Sequence, residues 1–341
     1  MKKLILVTGG TGYIGSHTSV ELINEGFEVV IADNLSNSDI GVLDGIEKIT
    51  GKRPLFEKAD LSIAEETRMV FDKYPGISAI IHFAAFKAVG ESVNLPLKYY
   101  NNNLNSLIHL LSNMQLRKIE NIVFSSSCTV YGEPDELPVS ETSPIKPANS
   151  PYGNTKQICE EILRDTALVN PLLKVISLRY FNPVGAHPSS LIGELPLGTP
   201  NNLVPFITQT AIGIRDVLSV FGSDYNTPDG SAVRDYINVV DLAKAHVISI
   251  RRLLENRNKL QLETFNLGTG KGVSVLEVLN CFEKATGVKC NYKIVDRREG
   301  DVEKVYADTS FANTELGWKS DTSLEETLLS SWNWEKKLRN K

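Results

Sequence analysis

The segment SPYGNTK, residues 150–156, carries Tyr152 and Lys156 four positions apart, just after a proline-rich loop. On a helix those positions share a face. Two readings stay open at this point: a helix start with a chance pair, or a phenol made acidic by a neighbouring ammonium. A third group lies upstream, where the run SSSCTVYG (125–132) places Ser127 twenty-five residues before Tyr152. A free phenol titrates at about 10, and a nearby Lys⁺ favours the phenolate and lowers that value. Ser127 can hydrogen-bond the reacting oxygen and help pass its proton. With the three groups together, the chemistry is that of a general base.

A base of this kind needs a partner for electrons, and the amino-terminal segment offers one. After the apolar run LILV comes TGGTGYIG, in which Gly9, Gly12 and Gly15 form G-x-x-G-x-x-G. Glycine permits a turn with positive φ and a close approach of pyrophosphate to the backbone. A helix starting behind it presents unpaired N–H groups and a positive dipole end. The motif by itself is weak; its place after a strand and before a helix gives it weight. The next strand, EVVIAD, ends at Asp33, eighteen residues beyond Gly15. A carboxylate there accepts bonds from a ribose hydroxyl and repels a 2′-phosphate. No arginine follows in NLSNS, so the expected cofactor is NAD rather than NADP. The competing structural reading is a tight strand–turn–helix with a surface aspartate. The positive charge of bound NAD⁺ would add to that of Lys156 in lowering the phenol.

The elements that must position these groups are legible as short apolar runs. They are LILV (4–7), EVVIAD (28–33), LFEKADL (55–61), AIIHFAA (79–85), NIVFSSS (121–127), KVISLRYFN (174–182) and TFNLG (264–268). The earlier runs are β-branched, lack alternation and are separated by helical-length segments, which predicts βαβ units around a parallel sheet buried on both faces. The fold class expected is α/β, a Rossmann-type doubly wound sheet with a smaller carboxy-terminal α/β lobe. Residues 1–181 are read as the NAD-binding domain and 182–341 as the second lobe, with segments near 236–268 returning to the sheet. A Pro/Gly-rich stretch (182–202) opens that lobe, followed by a helix in LVPFITQTAIG, an Asp/Gly-rich loop (223–235) and a helix over 241–254.

Composition sets the outer limits. The 341 residues are 42% hydrophobic and 23% charged, with a formal net charge of -5, so nothing asks for nucleic acid, whose partners are usually basic. The four cysteines, Cys128, Cys159, Cys281 and Cys290, form no C-x-x-C pair. Metal and disulfide roles are therefore not expected, and a reduced, cytoplasmic compartment fits. The opening MKKLILV is too short for a signal peptide, and no run approaches eighteen apolar residues, so no membrane span is expected.

TGGTGYIG, HFAAFKAVGES, SSSCTVYG, SPYGNTK, RYFNPVGAHP, PNNLVP, VRDYINVVDLA and RREGD together resemble the UDP-glucose 4-epimerases (UDP-galactose 4-epimerases) of the extended short-chain dehydrogenases/reductases. The likeness runs from Val7 to about Trp318, and RYFNPVGAHP is its most specific part. It implies interconversion of UDP-glucose and UDP-galactose through a 4-keto intermediate, with Tyr152 as base and Ser127 and Lys156 as catalytic companions. By the same resemblance NAD contacts Gly9, Gly12, Tyr13, Ile14 and Gly15 at the glycine turn, and Asp33, Asn34, Asn37 and Ser38 beyond the second strand. Its adenine lies near Asp60 and Leu61. Phe83, Ala84, Lys87, Asn102, Ser125 and Tyr180 line the rest, with Tyr152 and Lys156 serving cofactor and chemistry alike. The UDP-sugar falls to Ser127, Tyr152, Asn182, Asn202, Leu203, Phe221, Arg234, Arg298, Asp301 and Val305. Arginine suits a diphosphate because its guanidinium offers paired N–H donors.

Related dehydratases carry Asp-Glu where this chain has Cys128 and Thr129, and elimination of water needs that acid–base pair. The chain departs from the common epimerase pattern at Asn238, where histidine is frequent, and at Ala85 and Phe86. In the family, tyrosine at the position of Val305 goes with hexoses alone, and smaller residues go with N-acetylhexosamines as well. UDP-GlcNAc and UDP-GalNAc are therefore expected as further substrates, although Val305 could equally be a packing residue. The segments near 95–115 and 152–170 resemble helices that pair in family dimers, which implies a homodimer. The alternatives are a sugar-nucleotide dehydrogenase or reductase that releases NADH, and a non-catalytic NAD or UDP-sugar sensor. A sensor would be expected to lose Tyr152, Lys156 or Ser127.

Overall fold

A computed structural model of the chain describes residues 2–298 and 302–340. The strands run in chain order as β1 (Leu4–Thr8), β2 (Glu28–Asp33), β3 (Leu55–Lys58), β4 (Ile77–His82), β5 (Asn121–Ser127), β6 (Lys174–Tyr180), β7 (Asn182–Val184), β8 (Leu218–Phe221), β9 (Val233–Arg234), β10 (Tyr236–Asn238), β11 (Leu262–Leu267), β12 (Val273–Ser274), β13 (Tyr292–Val295) and β14 (Lys304–Val305). The helices are α1 (Tyr13–Asn24), α2 (Val42–Thr50), α3 (Ala64–Lys73), α4 (Val89–Asn94), α5 (Pro96–Arg117), α6 (Pro151–Val169), α7 (Leu203–Ala211), α8 (Val239–Leu254), α9 (Val275–Thr286) and α10 (Leu324–Leu338).

Seven parallel strands form the main sheet in the order β3-β2-β1-β4-β5-β6-β11. All seven apolar runs of the sequence supply its strands. The runs lack polar alternation because alternate side chains enter two different cores. Ile5, Val7, Val29, Ile31 and Ile81 face one apolar cluster, and Leu6, Val30, Ile80 and Ile122 face the other. The first is covered by α1, α2 and α8, the second by α3, α5 and α6. The chain leaves β1 toward β2 and β3, then returns to the other side of β1 as β4. This reversal opens a crevice beyond the carboxyl ends of β1 and β4, where ligands bind in such sheets.

The rest of the chain builds small sheets: β7 beside β10, β9 between β12 and β14, and β8 beside β13. Helices α7, α9 and α10 share a third apolar cluster with them, centred on Ile207, Val278, Phe282, Leu328 and Trp332. Two sequence details acquire a local reason. The stretch 223–235 is not all loop, since Val233 and Arg234 pair with two neighbours. Asn238 caps α8, its Oδ1 accepting from the N–H of Val240 at 2.8 Å, while its Nδ2 donates to Thr327 Oγ1 on α10 at 3.0 Å. The asparagine thus joins α8 to α10 where histidine is frequent among the resembled proteins. No helix among the described residues is long and apolar enough to cross a membrane.

Candidate active site

The glycine turn sits between β1 and α1, and its packing leaves little choice of residue. Gly9 has φ +66°, and a Cβ there would stand 2.8 Å from the Ala84 nitrogen. A Cβ on Gly15 would stand 2.4 Å from the Gly9 carbonyl oxygen. Gly12 differs, because a Cβ there meets only the Gly9 oxygen, at 3.1 Å, and it opens α1 with no side-chain cap and no acidic residue in the first turn. That leaves a bare helix start suited to an anion. Tyr13 and Ile14 form that first turn.

Asp33 closes β2 with its carboxylate turned toward the turn. Its Oδ2 accepts from the Thr11 N–H at 3.2 Å, and its Oδ1 accepts from the Leu35 N–H at 2.9 Å and Ser38 Oγ at 3.1 Å. A carboxylate has further lone pairs, so a ribose hydroxyl still fits. Asn34 Nδ2 donates to Asp60 Oδ2 at 3.1 Å, which brings the ends of β2 and β3 together. Asn37 is exposed on the same loop, and Leu61 is buried in the second apolar cluster. Across the crevice, Ala84 donates its N–H to Thr8 Oγ1 at 3.3 Å, and Phe83 lies against the His246 ring at 4.7 Å. Asn102 Nδ2 donates to Asn103 Oδ1 at 3.0 Å.

Ser150 caps α6 by accepting from the Gly153 N–H at 3.1 Å, and Pro151 follows at the first helical position. Both are strong helix-start residues, and they fix Tyr152 and Lys156 on the face turned to the end of β5. Lys156 Nζ donates to the Ser125 carbonyl at 2.6 Å and lies 6.0 Å from the Tyr152 ring centre. Ser125 Oγ hydrogen-bonds Tyr180 Oη, and Ser127 hydrogen-bonds Tyr152. The geometry gathers Ser127, Tyr152 and Lys156 in one place, as the residue spacing implies.

The electrostatics differ from the sequence expectation. Burial pushes the Tyr152 phenol up to about 12, against the Ser127 hydrogen bond, and pulls Lys156 down to about 8. Lys156 turns its ammonium to a backbone carbonyl, and its field does not offset the loss of water around the phenolate. The protein alone therefore holds Tyr152 as a neutral phenol. The shift toward phenolate requires a further positive charge in the crevice.

The chain from residue 182 onward carries the remaining sequence-predicted groups. Asn182 begins β7 directly after Tyr180 and Phe181. Arg234 on β9 is close enough to Cys128 to favour its thiolate, though burial dominates and raises that thiol to about 12. Arg234 also pairs in register with Val305, which is buried with Val130, Tyr131, Phe181 and Ala307. The Arg298 guanidinium lies 5.5 Å from the Phe221 ring centre. Asn202 precedes α7, and Leu203 is its first residue. Asp301 lies outside the described residues.

Several residues that hold this site carry no motif. Asn103 is buried on α5 and clamps the loop after β4 through both backbone groups of one residue. It accepts from the Phe86 N–H at 2.9 Å and donates to the Phe86 carbonyl at 3.1 Å and to Thr155 Oγ1 at 3.0 Å. Glu160, one turn beyond Lys156, receives two bonds from buried Arg179 at 2.9 and 2.6 Å and one from Ser126 Oγ at 2.5 Å. This ties the catalytic strand, its neighbour and α6 into one unit. A polar residue in mid-helix or mid-strand is the only signal of such a role in the sequence. Glu194, placed between Lys87 and Asn202, is a further unmarked residue. Among the described residues no cluster of three His, Cys, Asp or Glu side chains suits a metal ion.

A family model described as GDP-mannose 4,6 dehydratase matches residues 6–330. The UDP-glucose 4-epimerase of Bacillus subtilis (strain 168) is 51% identical over 331 residues, covering 97% of this chain and 96% of that protein. The bifunctional protein GAL10 of Pachysolen tannophilus is 51% identical over 334 residues; they make up 97% of this chain and 48% of that longer protein, so the chain spans about half of it. A crystal structure of UDP-glucose-4-epimerase from Stenotrophomonas maltophila, with bound NAD and formylated UDP-arabinopyranose, superposes with TM-score 0.95 at 47% identity over 99% of both chains.

Proposed function

The chain belongs to the UDP-glucose 4-epimerase family, within the NAD-dependent epimerases and dehydratases, and from that premise we propose how its residues divide the work. The activity is epimerisation of UDP-glucose and UDP-galactose with bound NAD, and the observation that carries the assignment of roles is the meeting of Ser127, Tyr152 and Lys156 at the carboxyl end of β5. NAD fits the residues present: the bare start of α1 would take the pyrophosphate and Asp33 the ribose hydroxyls, and Gly9 and Gly15 pack the turn where side chains would collide. When bound, NAD would supply reversible hydride transfer at the sugar C4′.

Tyr152 takes the proton from the 4′-hydroxyl and gives it back. Ser127 holds that oxygen in line through its hydrogen bond to the phenol. Lys156 brings a positive charge near the phenol, although burial pulls its own pKa down to about 8, an effect that Cys159 and Glu160 only partly oppose. Arg234 and Arg298 grip the diphosphate, with Asn182, Asn202, Leu203 and Phe221 around the nucleotide and Asp301 on the uridine ribose. A dehydration is disfavoured because Cys128 and Thr129 replace the acidic pair and the Cys128 thiol is pushed up to about 12 by burial. The test separating this reading from a dehydrogenase is absorbance at 340 nm with UDP-galactose: product forms with no net rise. A steady rise that consumes added NAD⁺ identifies a dehydrogenase instead.

Three finer points belong to the same reading. Residues 1–181 with α8 and β11 form the NAD domain, and the remainder from 182 the UDP-sugar lobe. Val305, much smaller than tyrosine, leaves room beside the sugar C2′ substituent for an N-acetyl group. The chain acts in the cytoplasm as a homodimer: Leu97 and Ile108, eleven residues apart on one stripe of α5, are 80% and 41% exposed. Light scattering at micromolar concentration reads twice the chain mass if the dimer forms; a monomer mass refutes it.

A further inference from the structure

Residues 185–202 touch both rims of the crevice at the point where the strand order reverses. On the β1 side, Tyr13 Oη donates to the Gly185 carbonyl at 2.6 Å. On the β4 side, Lys87 Nζ lies 3.7 Å from Glu194 Oε1. Glu194 Oε1 also accepts from Asn202 Nδ2 at 2.5 Å, so one carboxylate joins a residue of the cofactor rim to one beside the nucleotide lobe. The segment between these contacts is braced rather than loose. Ala186 bridges to Gly193, Ile192 is buried in the sheet core, and a Cβ on Gly45 of α2 would stand 2.7 Å from the Leu191 carbonyl oxygen. Its other side is tied to α10, through Ala186 N–H to Ser330 Oγ at 3.0 Å and Trp334 Nε1 to the Glu194 carbonyl at 2.9 Å.

We propose that residues 185–202 are a strap across the cofactor crevice, and that Glu194 is a positioning residue whose links to Lys87 and Asn202, together with the Tyr13–Gly185 bond, keep NAD in the site between turnovers. The inference rests on the NAD reading above. Glu194 is well placed for this because its side chain is 14% exposed while Lys87 is 49% exposed. A shielded carboxylate holds a mobile ammonium more firmly than an exposed one. Burial also raises the Glu194 carboxyl, and Lys87 and Asn202 favour its ionised form.

The experiment measures NAD carried by the purified protein and its release rate after dilution into an NAD-consuming mixture. Glu194→Gln removes the charge and keeps the shape; Tyr13→Phe removes only the hydroxyl. Each is expected to release NAD about tenfold faster than the parent, as the loss of one charge-assisted or well-aligned bond implies. Lys289→Gln, which removes an exposed ion pair with Glu283 that touches no residue of the strap, serves as control and keeps the parent rate. Parent-like release in both Glu194→Gln and Tyr13→Phe overturns the strap, as does equal acceleration in Lys289→Gln, which marks general loosening. A parent that carries no NAD and binds none when supplied fails the NAD reading itself, and the strap with it.

Discussion

Tyr152→Phe lowers the turnover of UDP-galactose by about 10²–10⁴-fold, the usual range for loss of a positioned acid–base group. The change deletes one oxygen from a ring whose side-chain partner is Ser127, and the helix that carries it is started by Ser150 and Pro151, so the fold survives. The loss falls on kcat and kcat/KM alike, because the proton moves only in the transition state. Circular dichroism and thermal unfolding check that the variant is folded, and initial rates check the effect. Near-parent turnover in a folded variant removes Tyr152 from its role. The neutral phenol of the protein alone, at about 12, makes a second feature of this prediction. Tyr152 becomes an effective base only beside an added positive charge, so reduction of the bound cofactor to its neutral form should raise the phenol's pKa. Ultraviolet difference titration of the phenolate reads that shift.

On the proposed N-acetyl substrate range, Val305→Tyr is expected to lower kcat/KM for UDP-GalNAc by about a hundredfold or more and to change that for UDP-galactose by less than about fivefold. The reasoning is steric. Val305 is 8% exposed within an apolar cluster and lies across from Arg234 on the neighbouring strand. Added ring volume there either strains the cluster, at about 1–3 kcal/mol, or enters the sugar space and meets the N-acetyl group. The second outcome separates the substrates and the first does not. Specificity is a ratio of two kcat/KM values, so both substrates are assayed on the same preparation. Val305→Ala provides the companion result: it keeps activity on both. Equal loss of both activities in Val305→Tyr, with Val305→Ala intact, assigns Val305 to packing. Equal retention of both likewise ends its role in substrate range.

The legible part of this protein was the part with periodic or motif signals. All strands of the main sheet stood out because parallel strands buried on both faces are written as unbroken apolar runs. The helix at Tyr152 was legible as a segment following a proline-rich loop; its Ser150 cap and first-turn Pro151 give the physical reason for that start. Strands β9, β12 and β14 have two residues each, too few for any period to show. Asn103, Glu160 and Glu194 were illegible for another reason: each acts through partners distant in sequence, and no spacing announces them. The state of the Tyr152 phenol in the protein alone is not legible, because sequence displays neighbouring charge but not desolvation. Burial outweighs Lys156 at that phenol, and only a three-dimensional structure shows how much water has been excluded.

The most direct test of the central claim uses UDP-galactose carrying deuterium at C4′, incubated with the purified protein in ordinary water without added nucleotide and followed by NMR. The account predicts UDP-glucose with the deuterium still on C4′, because the hydrogen is held within one active site and returned to the carbon it left. Loss of the label to solvent, or no product even after NAD⁺ is supplied, contradicts it.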